Sequence, residues 1–442
     1  MQKLINIKDI FWSNFPLFFY LILAQALRRS HGALKSNHLL FITISIALLA
    51  YYHIKKPTKG KITNSLSHYL WIIFTFFLIE KTEIIYLQSG TYLNIYNYLL
   101  YISLALSIVS LKFFKERIYF IGMIIGSVCL LLVPLISPSP AIDVFTITTK
   151  ASEYLLQGLN PYTQIYPDIY NGQYNYEPNL IYWPVGVLFN TISFKVLGDI
   201  RYINIFSIIL SSIYLYKKRS PILALILLYF PVASFVIEQA WYEAIFFIFI
   251  ILLFSMLKDR KTSKASILLG ILCASKQFFI ITAIHTFLFV FRSSKPREWL
   301  SYLFISIATG SILLGVFYVW NPDSFINNTI FNILKYPTRY DSLSWVAHFK
   351  VRHGIILNSL LLTSINIGAI ILSALYLLKK KTVSISDLLV TQIITYTVIF
   401  IFAKQSFCNY YYLSSFLILI YVAFEDGKSS HSHQEISPAL NE

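Results

Sequence analysis

The interval Ser137–Pro184, SPSPAIDVFTITTKASEYLLQGLNPYTQIYPDIYNGQYNYEPNLIYWP, is the longest polar stretch in a chain otherwise made of apolar runs. Its backbone must lie where water can solvate it, because unpaired peptide groups are not tolerated in hydrocarbon. From Asp143 to Gln157 the polar residues recur at helical spacing opposite an apolar stripe, and Gly158 ends the pattern. The interval therefore predicts an aqueous loop that opens with a short amphipathic helix on the membrane surface, with Asp143 in its first turn.

The sequence around this loop is strongly apolar. Of the 442 residues, 57% are hydrophobic and 13% charged, and the apolar runs are about 20 residues long, enough to cross ~30 Å of hydrocarbon. Trp183-Pro184 interrupts the run 179–197, which is expected to be re-entrant or interfacial, and Lys276 splits 265–291 into two short helices. These runs predict an all-α polytopic membrane protein with about 13 transmembrane helices.

The formal charge of +16 is concentrated in short basic clusters between apolar runs. These clusters are Lys55 to Lys61, Lys112 to Arg117, Lys217 to Arg219, Lys258 to Lys264, Arg292 to Arg297 and Lys379 to Lys381. This is the positive-inside pattern, so it indicates cytoplasmic turns of a cell (inner) membrane protein rather than a nucleic-acid partner. Loops 137–178 and 320–353, with a small third loop at Lys404, are then extracytoplasmic. The tail 425–442 is expected to be a disordered cytoplasmic segment.

The cysteines and histidines of the sequence do not indicate a disulfide framework or a metal site. Cys129, Cys273 and Cys408 are far apart inside apolar runs, which indicates neither a disulfide framework nor a thiolate metal site. His348 and His353 have no third ligand-type residue at useful spacing, so no metal site is predicted. The first apolar run has no cleavage site for a signal peptide. Glycine loops for phosphate, nucleophile elbows and HExxH motifs are absent from the sequence.

An acidic first loop, a basic second loop and two lysines at helix breaks converge on the outer side of this topology. The cations could bind an anionic lipid-borne group while a carboxylate handles a proton. The candidate cations are Lys276, Arg339, Arg352 and Lys404. A lysine near a helix end can instead extend to the membrane surface, and arginines in such a loop can bind anionic headgroups.

Asp143 is the strongest carboxylate candidate, although an Asp in the first turn of a helix is also stabilised by the helix dipole. Glu177 could orient an acceptor hydroxyl or be an interfacial side chain beside a turn. Tyrosines crowd the first loop, among them Tyr162, Tyr174 and Tyr176. Their rings could stack on sugar faces or lie at the membrane interface, where tyrosine is enriched.

The order of Asp143, then Gly158–Tyr162, then Tyr174–Leu180 resembles the first-loop pattern of the integral-membrane glycosyltransferase-C superfamily. The likeness is greatest to GPI-mannosyltransferase-I-like and bacterial polyprenyl-phosphate mannosyltransferase-like or arabinofuranosyltransferase-like members, and Ala274–Gln277 is similar to a helix-break lysine in the bacterial ones. The resemblance covers 118–424, a catalytic module, and leaves 1–117 as an N-terminal transmembrane extension.

The resemblance implies transfer of a mannosyl or other hexosyl or pentosyl group from a polyprenyl-phosphate donor to an extracytoplasmic lipid or cell-envelope glycan acceptor, with inversion and with Asp143 as general base. Glu177 would assist at the acceptor. The implied donor-phosphate ligands are Lys276, Arg339, Lys404 and Arg352, and the implied sugar or acceptor contacts are Tyr162, Tyr174, Tyr176 and Gln277. GPI mannosyltransferases carry D-x-D, whereas here Ala141 and Phe145 stand two positions before and after Asp143. This departure leaves metal dependence open: a divalent cation is neither indicated nor excluded, and no other cofactor is indicated.

Two other functions fit the same features. A transporter or flippase for a lipid-linked or anionic solute would use Lys276 and Lys404 to line its pathway, and it predicts charges at mid-bilayer. A membrane glycan polymerase or ligase would share the outer-loop site but rely on Arg339 and Arg352.

Overall fold

The structure is a computed structural model that describes residues 7–55, 64–113, 115–174, 177–218 and 220–426. It is 76% helical without strands in the described ranges, apart from an isolated antiparallel bridge between Ala33 and Ser342. The all-α prediction is therefore confirmed. Five described helices are long and apolar enough to cross a membrane, or six if one bent pair counts as a single span. Several shorter apolar helices accompany them, and the count of about 13 spans stays a prediction.

The α-helices follow the apolar runs in chain order. They are α1 Ile7–Ser30, α2 Ser36–Lys55, α3 Asn64–Glu80, α4 Gly90–Val109, α5 Lys115–Ile136, α6 Asp143–Leu156, α7 Pro184–Leu197, α8 Tyr202–Lys218, α9 Pro221–Leu228, α10 Ala233–Glu238, α11 Phe247–Lys258, α12 Thr262–Cys273, α13 Phe279–Ser293, α14 Pro296–Trp320, α15 Pro322–Ile326, α16 Asn332–Lys335, α17 Trp345–His353, α18 Ser359–Lys379, α19 Ile385–Ile401 and α20 Cys408–Asp426.

Helix α9 lies at the centre of the bundle. Its sequence PILALILL is apolar all round, and its residues from Ile222 to Leu228 are buried, as expected for a helix surrounded by other helices. It packs against α3, α5, α8 and α20. Helices α4, α14 and α18 are the opposite case, since they expose most of their apolar surface. Such helices suit a lipid environment, because there is no hydrophobic gain in burying them.

The N-terminal helices share this core with the rest of the chain. Tyr20 of α1 donates a hydrogen bond to the Ile226 carbonyl of α9 at 3.2 Å, and its ring packs on Phe230 at 5.0 Å between centroids. Trp71 of α3 packs against Tyr229 at 6.1 Å. The predicted boundary at residue 117 therefore does not divide the packing into two cores. Of the predicted tail 425–442, residues 427–442 lie outside the described ranges.

Helices α7 and α8 meet at 101°, as in a broken span or a re-entrant loop, and the re-entrant or interfacial character of 179–197 stays a prediction. Pro184 begins α7, and Gly198 ends it with φ +76, a conformation that glycine adopts without strain. Fully buried Arg201 fixes the bend: its guanidinium pairs with Asp199 at 2.5 Å and donates to the Ser137 carbonyl at 2.7 Å. The bend is thereby joined to the start of the first large loop.

The segments between the long helices, some of which contain short helices, gather at one end of the bundle, called here the loop end: residues 31–35, 81–89, 137–174, 177–183, 274–278, 321–358 and 402–407. Hydrogen bonds join them to each other. Gln88 and Ser139 exchange two bonds of 3.0 and 3.1 Å. The Leu343 amide donates to the Gly32 carbonyl at 2.9 Å. Both large loops predicted to be outer ones are thus at the same end.

The other helix termini form a basic end. It is defined by Lys55, Lys115, Lys218, Lys258, Arg292 and Lys379. Neighbouring contacts there include Arg292 donating to the Lys380 carbonyl at 2.9 Å and Tyr216 donating to the Glu116 carbonyl at 3.2 Å. The two large loops therefore lie at the end of the bundle opposite to the basic end.

Candidate functional site

Asp143 begins α6, as the sequence predicts. The helix buries Ile147, Thr148 and Ala151 on one face and ends at Leu156, so the predicted amphipathic helix is confirmed. The half-buried Asp143 carboxylate accepts a hydrogen bond from the Val144 amide at 2.8 Å. The position is open to a proton acceptor and equally suits a helix-starting residue without chemistry, because the helix dipole attracts a negative side chain there.

Four tyrosines from three loop-end segments interact electrostatically with the Asp143 carboxylate: Tyr86, Tyr170, Tyr182 and Tyr336. Burial is the larger cause, and the Asp143 carboxylate a further one, of the raised pKa of each phenol. The backbone amide of Asp143 donates to the Tyr170 hydroxyl at 3.4 Å. The phenols therefore remain protonated hydrogen-bond donors around a negative charge.

Lys276 lies in the predicted helix break, between the end of α12 and the start of α13, so that prediction is confirmed. Its side chain is 9% exposed and its ammonium pairs with Glu243, which is 0% exposed and precedes α11 in a short 3-10 turn. Asn409 donates to the same Glu243 oxygen at 2.8 Å. Burial opposes the charge of Lys276, but the Glu243 carboxylate outweighs burial and raises the pKa of the lysine.

Tyr182 connects this buried pair to Asp143. The Lys276 ammonium lies 5.5 Å from the Tyr182 ring centroid, and the other neighbour of that ring is Tyr242, stacked at 3.9 Å and 11°. Tyr242 in turn donates to Thr148 of α6 at 3.3 Å. A Cβ on Gly186 would lie 2.4 Å from the Tyr242 ring, so only glycine lets α7 approach this stack. The charges of Asp143 and Glu243 both act on Tyr182.

A loop from the N-terminal extension also reaches the site. Fully buried Glu238 accepts hydrogen bonds from the Ile85 amide at 2.9 Å and the Tyr86 amide at 2.7 Å. Buried Glu83 of the same loop pairs with Arg28 at 3.3 Å and His31 at 2.5 Å. Two carboxylates thus hold residues 83–86 in place and present Tyr86 to Asp143.

Arg339 and Lys404 lie together on the two other loops. The Arg339 amide donates to the Lys404 carbonyl at 2.9 Å, and its guanidinium forms a two-pronged pair with Asp341 at 2.7 and 2.9 Å. It lies 3.8 Å above the Tyr174 ring and 4.9 Å from that of Phe407. Lys404 is exposed. The predicted cations Arg339 and Lys404 and the predicted sugar contact Tyr174 therefore form one corner of the loop end.

The remaining predicted residues are dispersed. Tyr162 is 1% exposed and donates to the Tyr182 carbonyl at 2.7 Å. Gln277 bridges the carbonyls of Ile181 and Thr329 at 3.1 and 2.9 Å. Both side chains thus hold the segment of Tyr182 in position. Glu177 is exposed, and Tyr176 lies outside the described residues.

The basic side chains of α17 are arranged differently. Arg352 is exposed on this helix, and the nearby His348 bonds to Ser36 at 2.9 Å. His348 and His353 lie with ring centroids 5.5 Å apart. Within the described ranges, no group of three His, Cys, Asp or Glu side chains could hold a metal ion.

Sequence reasoning missed the buried carboxylates Glu83, Glu238 and Glu243. The signal was present, because each is an ionisable residue in or beside an apolar run, the feature that singled out Lys276. No family model matches the chain, no curated protein is significantly similar to it, and no solved structure matches its fold. The resemblance to glycosyltransferase-C enzymes stays a prediction.

Proposed function

We propose that the protein is an integral membrane glycosyltransferase that moves a sugar from a polyprenyl-phosphate donor to a lipid or glycan acceptor, with Asp143 as general base. The observation that supports it best is the surrounding of Asp143. A half-buried carboxylate at a helix N-terminus lies among four phenols, and Tyr182 joins it to a buried ammonium–carboxylate pair. Perturbed, partly buried ionisable groups that converge on one place are typical of reaction sites.

The chemistry needs only these groups. Asp143 accepts the proton of an acceptor hydroxyl as its oxygen attacks the anomeric carbon of the donor sugar. The bond from that carbon to the phosphate oxygen breaks on the opposite face, which inverts the configuration. The electron pair stays with the leaving polyprenyl phosphate, whose charge needs cations that are already oriented. The proton on Asp143 then passes to water.

Cations for the leaving phosphate come from the loop end. Arg339 and Lys404 are adjacent there, and the exposed Lys404 can approach a headgroup without leaving a buried partner. Lys276 is already paired with buried Glu243, so we do not assign it to the phosphate. Arg352, on α17, is a further cation of the second loop. Glu177 is accessible to an acceptor from the first loop.

The proposed orientation follows from the charge of the two ends. Lysine and arginine are retained on the cytoplasmic side of a membrane protein, so the basic end is cytoplasmic in this proposal and the loop end extracytoplasmic. Transfer would then use lipid-linked sugars on the outer face of a cell membrane, with no cofactor. Lys276 and Lys404 at the loop end favour this function over a transporter, whose pathway would need charges at mid-bilayer.

The test uses the purified full chain in lipid nanodiscs with a panel of polyprenyl-phosphate sugars and a lipid acceptor. Asp143→Asn keeps the shape of the side chain but removes the base, so transfer should fall ~10²–10⁴-fold. Asp323→Asn is the matched control, since Asp323 also lies in the first turn of a loop-end helix and is exposed. Equal activity of the Asp143 and Asp323 variants would exclude Asp143 as the base. A much larger loss on changing Arg339 and Arg352 would favour a glycan polymerase or ligase.

A further inference from the structure

We propose that Glu243, Lys276 and Asn409 form a subsite for the hydroxyl groups of a neutral sugar, and that the transferred sugar of the donor occupies it. This deepens the proposed function and depends on it. The three side chains come from the turn before α11, the break between α12 and α13, and the first turn of α20. A ligand held here would therefore contact three separate parts of the bundle.

Two buried acceptors in this cluster are unused. One Glu243 oxygen takes the hydrogen bonds of both Lys276 and Asn409, while its second oxygen has no hydrogen-bond partner among the described residues. Since a carboxylate only accepts, the Asn409 amide must turn its nitrogen to Glu243. Its oxygen is then left as a second buried acceptor without a described partner. Buried acceptors are normally satisfied, so a pair of unsatisfied ones points to a ligand with donors.

The charge of the cluster selects the class of ligand. Lys276 and Glu243 together are neutral, and both are at least nine-tenths buried. A phosphate placed here would bring its charge against the Glu243 carboxylate in a low-dielectric environment, where like charges repel strongly. A sugar hydroxyl instead donates to the carboxylate or amide oxygen and accepts from a remaining N–H of Lys276. Neighbouring hydroxyls on one ring could satisfy both unused acceptors.

The position of the cluster also fits the donor sugar. The Lys276 ammonium lies 5.5 Å from the Tyr182 ring centroid, Tyr182 stacks on Tyr242, and Tyr242 donates to Thr148 of α6. A ring held by the cluster therefore lies beside the helix that Asp143 begins. Tyr410, with its ring centroid 5.0 Å from the Lys276 ammonium, encloses the other side. The phosphate of the same donor can then extend toward Arg339 and Lys404, which leaves each end of the donor with groups of suitable charge.

The experiment measures binding rather than turnover. The full chain in nanodiscs is titrated with polyprenyl-phosphate sugars, with the same lipid phosphate lacking a sugar, and with donors in which single hydroxyls are replaced by hydrogen. Asn409→Ala and Glu243→Gln should weaken sugar-donor binding by about tenfold, the effect expected from a lost hydrogen bond to a buried charged group. Binding of the sugar-free lipid phosphate should change less than about twofold. Asn94→Ala, an exposed asparagine of α4, is the control.

Each outcome decides the matter. Equal weakening of both lipids would place the phosphate, not the sugar, at the cluster, and unchanged binding would make the cluster purely structural; either overturns the inference. If Glu243→Gln fails to fold, Asn409→Ala and the deoxy-donor series on the unchanged chain still test it. A wild type that selects sugars but transfers none would remove the proposed function and leave the subsite. If sugar transfer depends on Asp143 but Asn409→Ala does not change the preference for sugar-bearing donors, the proposed function stands and the subsite is refuted.

Discussion

Glu83, Glu238 and Glu243 are all fully buried at or beside the loop end, and each has a different set of partners. Glu83 has a guanidinium and an imidazole, Glu238 has two backbone amides, and Glu243 has an ammonium and a carboxamide. An ionised carboxylate is retained in an apolar environment only when charge or hydrogen bonds replace its lost hydration. Such arrangements are costly, and three of them lie at the end of the bundle where the site is proposed.

The Lys276–Glu243 pair allows a stability test. Lys276→Met leaves a buried carboxylate without its cation, which should destabilise the protein by about 3–5 kcal/mol. The double variant Lys276→Met, Glu243→Gln removes both charges and should recover a large part of this loss. Thermal unfolding in detergent measures both. If the double variant is no more stable than the single one, the loss of stability does not come from an unpaired Glu243 charge, and this account of the pair is wrong.

At the scale of elements, the loop 81–89 is a short segment held to the site by backbone contacts. Glu238→Leu removes the acceptor of the Ile85 and Tyr86 amides, so residues 83–88 should exchange amide hydrogen faster and Tyr86 should leave Asp143. Sugar transfer should fall while the helices keep their protection. Hydrogen exchange followed by mass spectrometry measures the loop, and Glu298→Leu, in the first turn of α14 at the basic end, is the control. Unchanged exchange at 83–88 would contradict this role.

Arg339 joins the two large loops: its guanidinium pairs with Asp341 of the second loop and stacks on Tyr174 of the first. These contacts are called here the Arg339 latch. Arg339→Lys keeps the charge but loses the planar fork on Asp341 and the stacking on Tyr174. The loop around Tyr174 should then be cut faster by protease, whereas Arg352→Lys on exposed α17 should leave the rate unchanged. Equal cleavage rates in the Arg339→Lys and Arg352→Lys variants would show that Arg339 does not hold the first loop in place.

The pH dependence of the latch has a definite sign. Partial burial raises the pKa of Asp341, but the Arg339 guanidinium outweighs burial and lowers it below its ordinary value. The pair is therefore formed at neutral and mildly acidic pH and is lost only as the pH falls through that lowered pKa. Protease resistance of the first loop should hold at pH 5 and decline in stronger acid.

Sequence patterns predicted elements better than they predicted partners. The helix beginning at Asp143, the helix start at Pro184 and the break at Lys276 follow from local periodicity, from proline and from charges that apolar runs do not tolerate. The partners of Lys276 do not follow, because Glu243 is 33 positions away from it and Asn409 is 166 positions from Glu243. Contacts over such separations are set by how the whole bundle packs, and local spacing carries no record of it.

At the scale of the whole molecule, the N-terminal helices are part of the working structure. Residues 1–117 look like an addition from the sequence, but Tyr20 and Trp71 pack into the central core, and the loop carrying Tyr86 reaches Asp143. The order of the chain does not reveal this shared packing, because early helices can pack anywhere in a bundle. Removal of the extension would be expected to expose the α9 core and to open one side of the site.

The two-ended charge distribution predicts the orientation in the membrane. Thr163→Cys in the first loop and Lys335→Cys in the second are exposed loop-end positions, and Lys261→Cys and Lys381→Cys are exposed at the basic end. An impermeant maleimide added to intact cells should label the first two, and the last two only after lysis, because basic turns are retained in the cytoplasm. Labelling of Thr163→Cys and Lys335→Cys from opposite sides of the membrane would contradict the conclusion that both large loops lie at the same end. Labelling of both only after lysis would put Asp143 on the cytoplasmic face, where an extracytoplasmic acceptor cannot reach it.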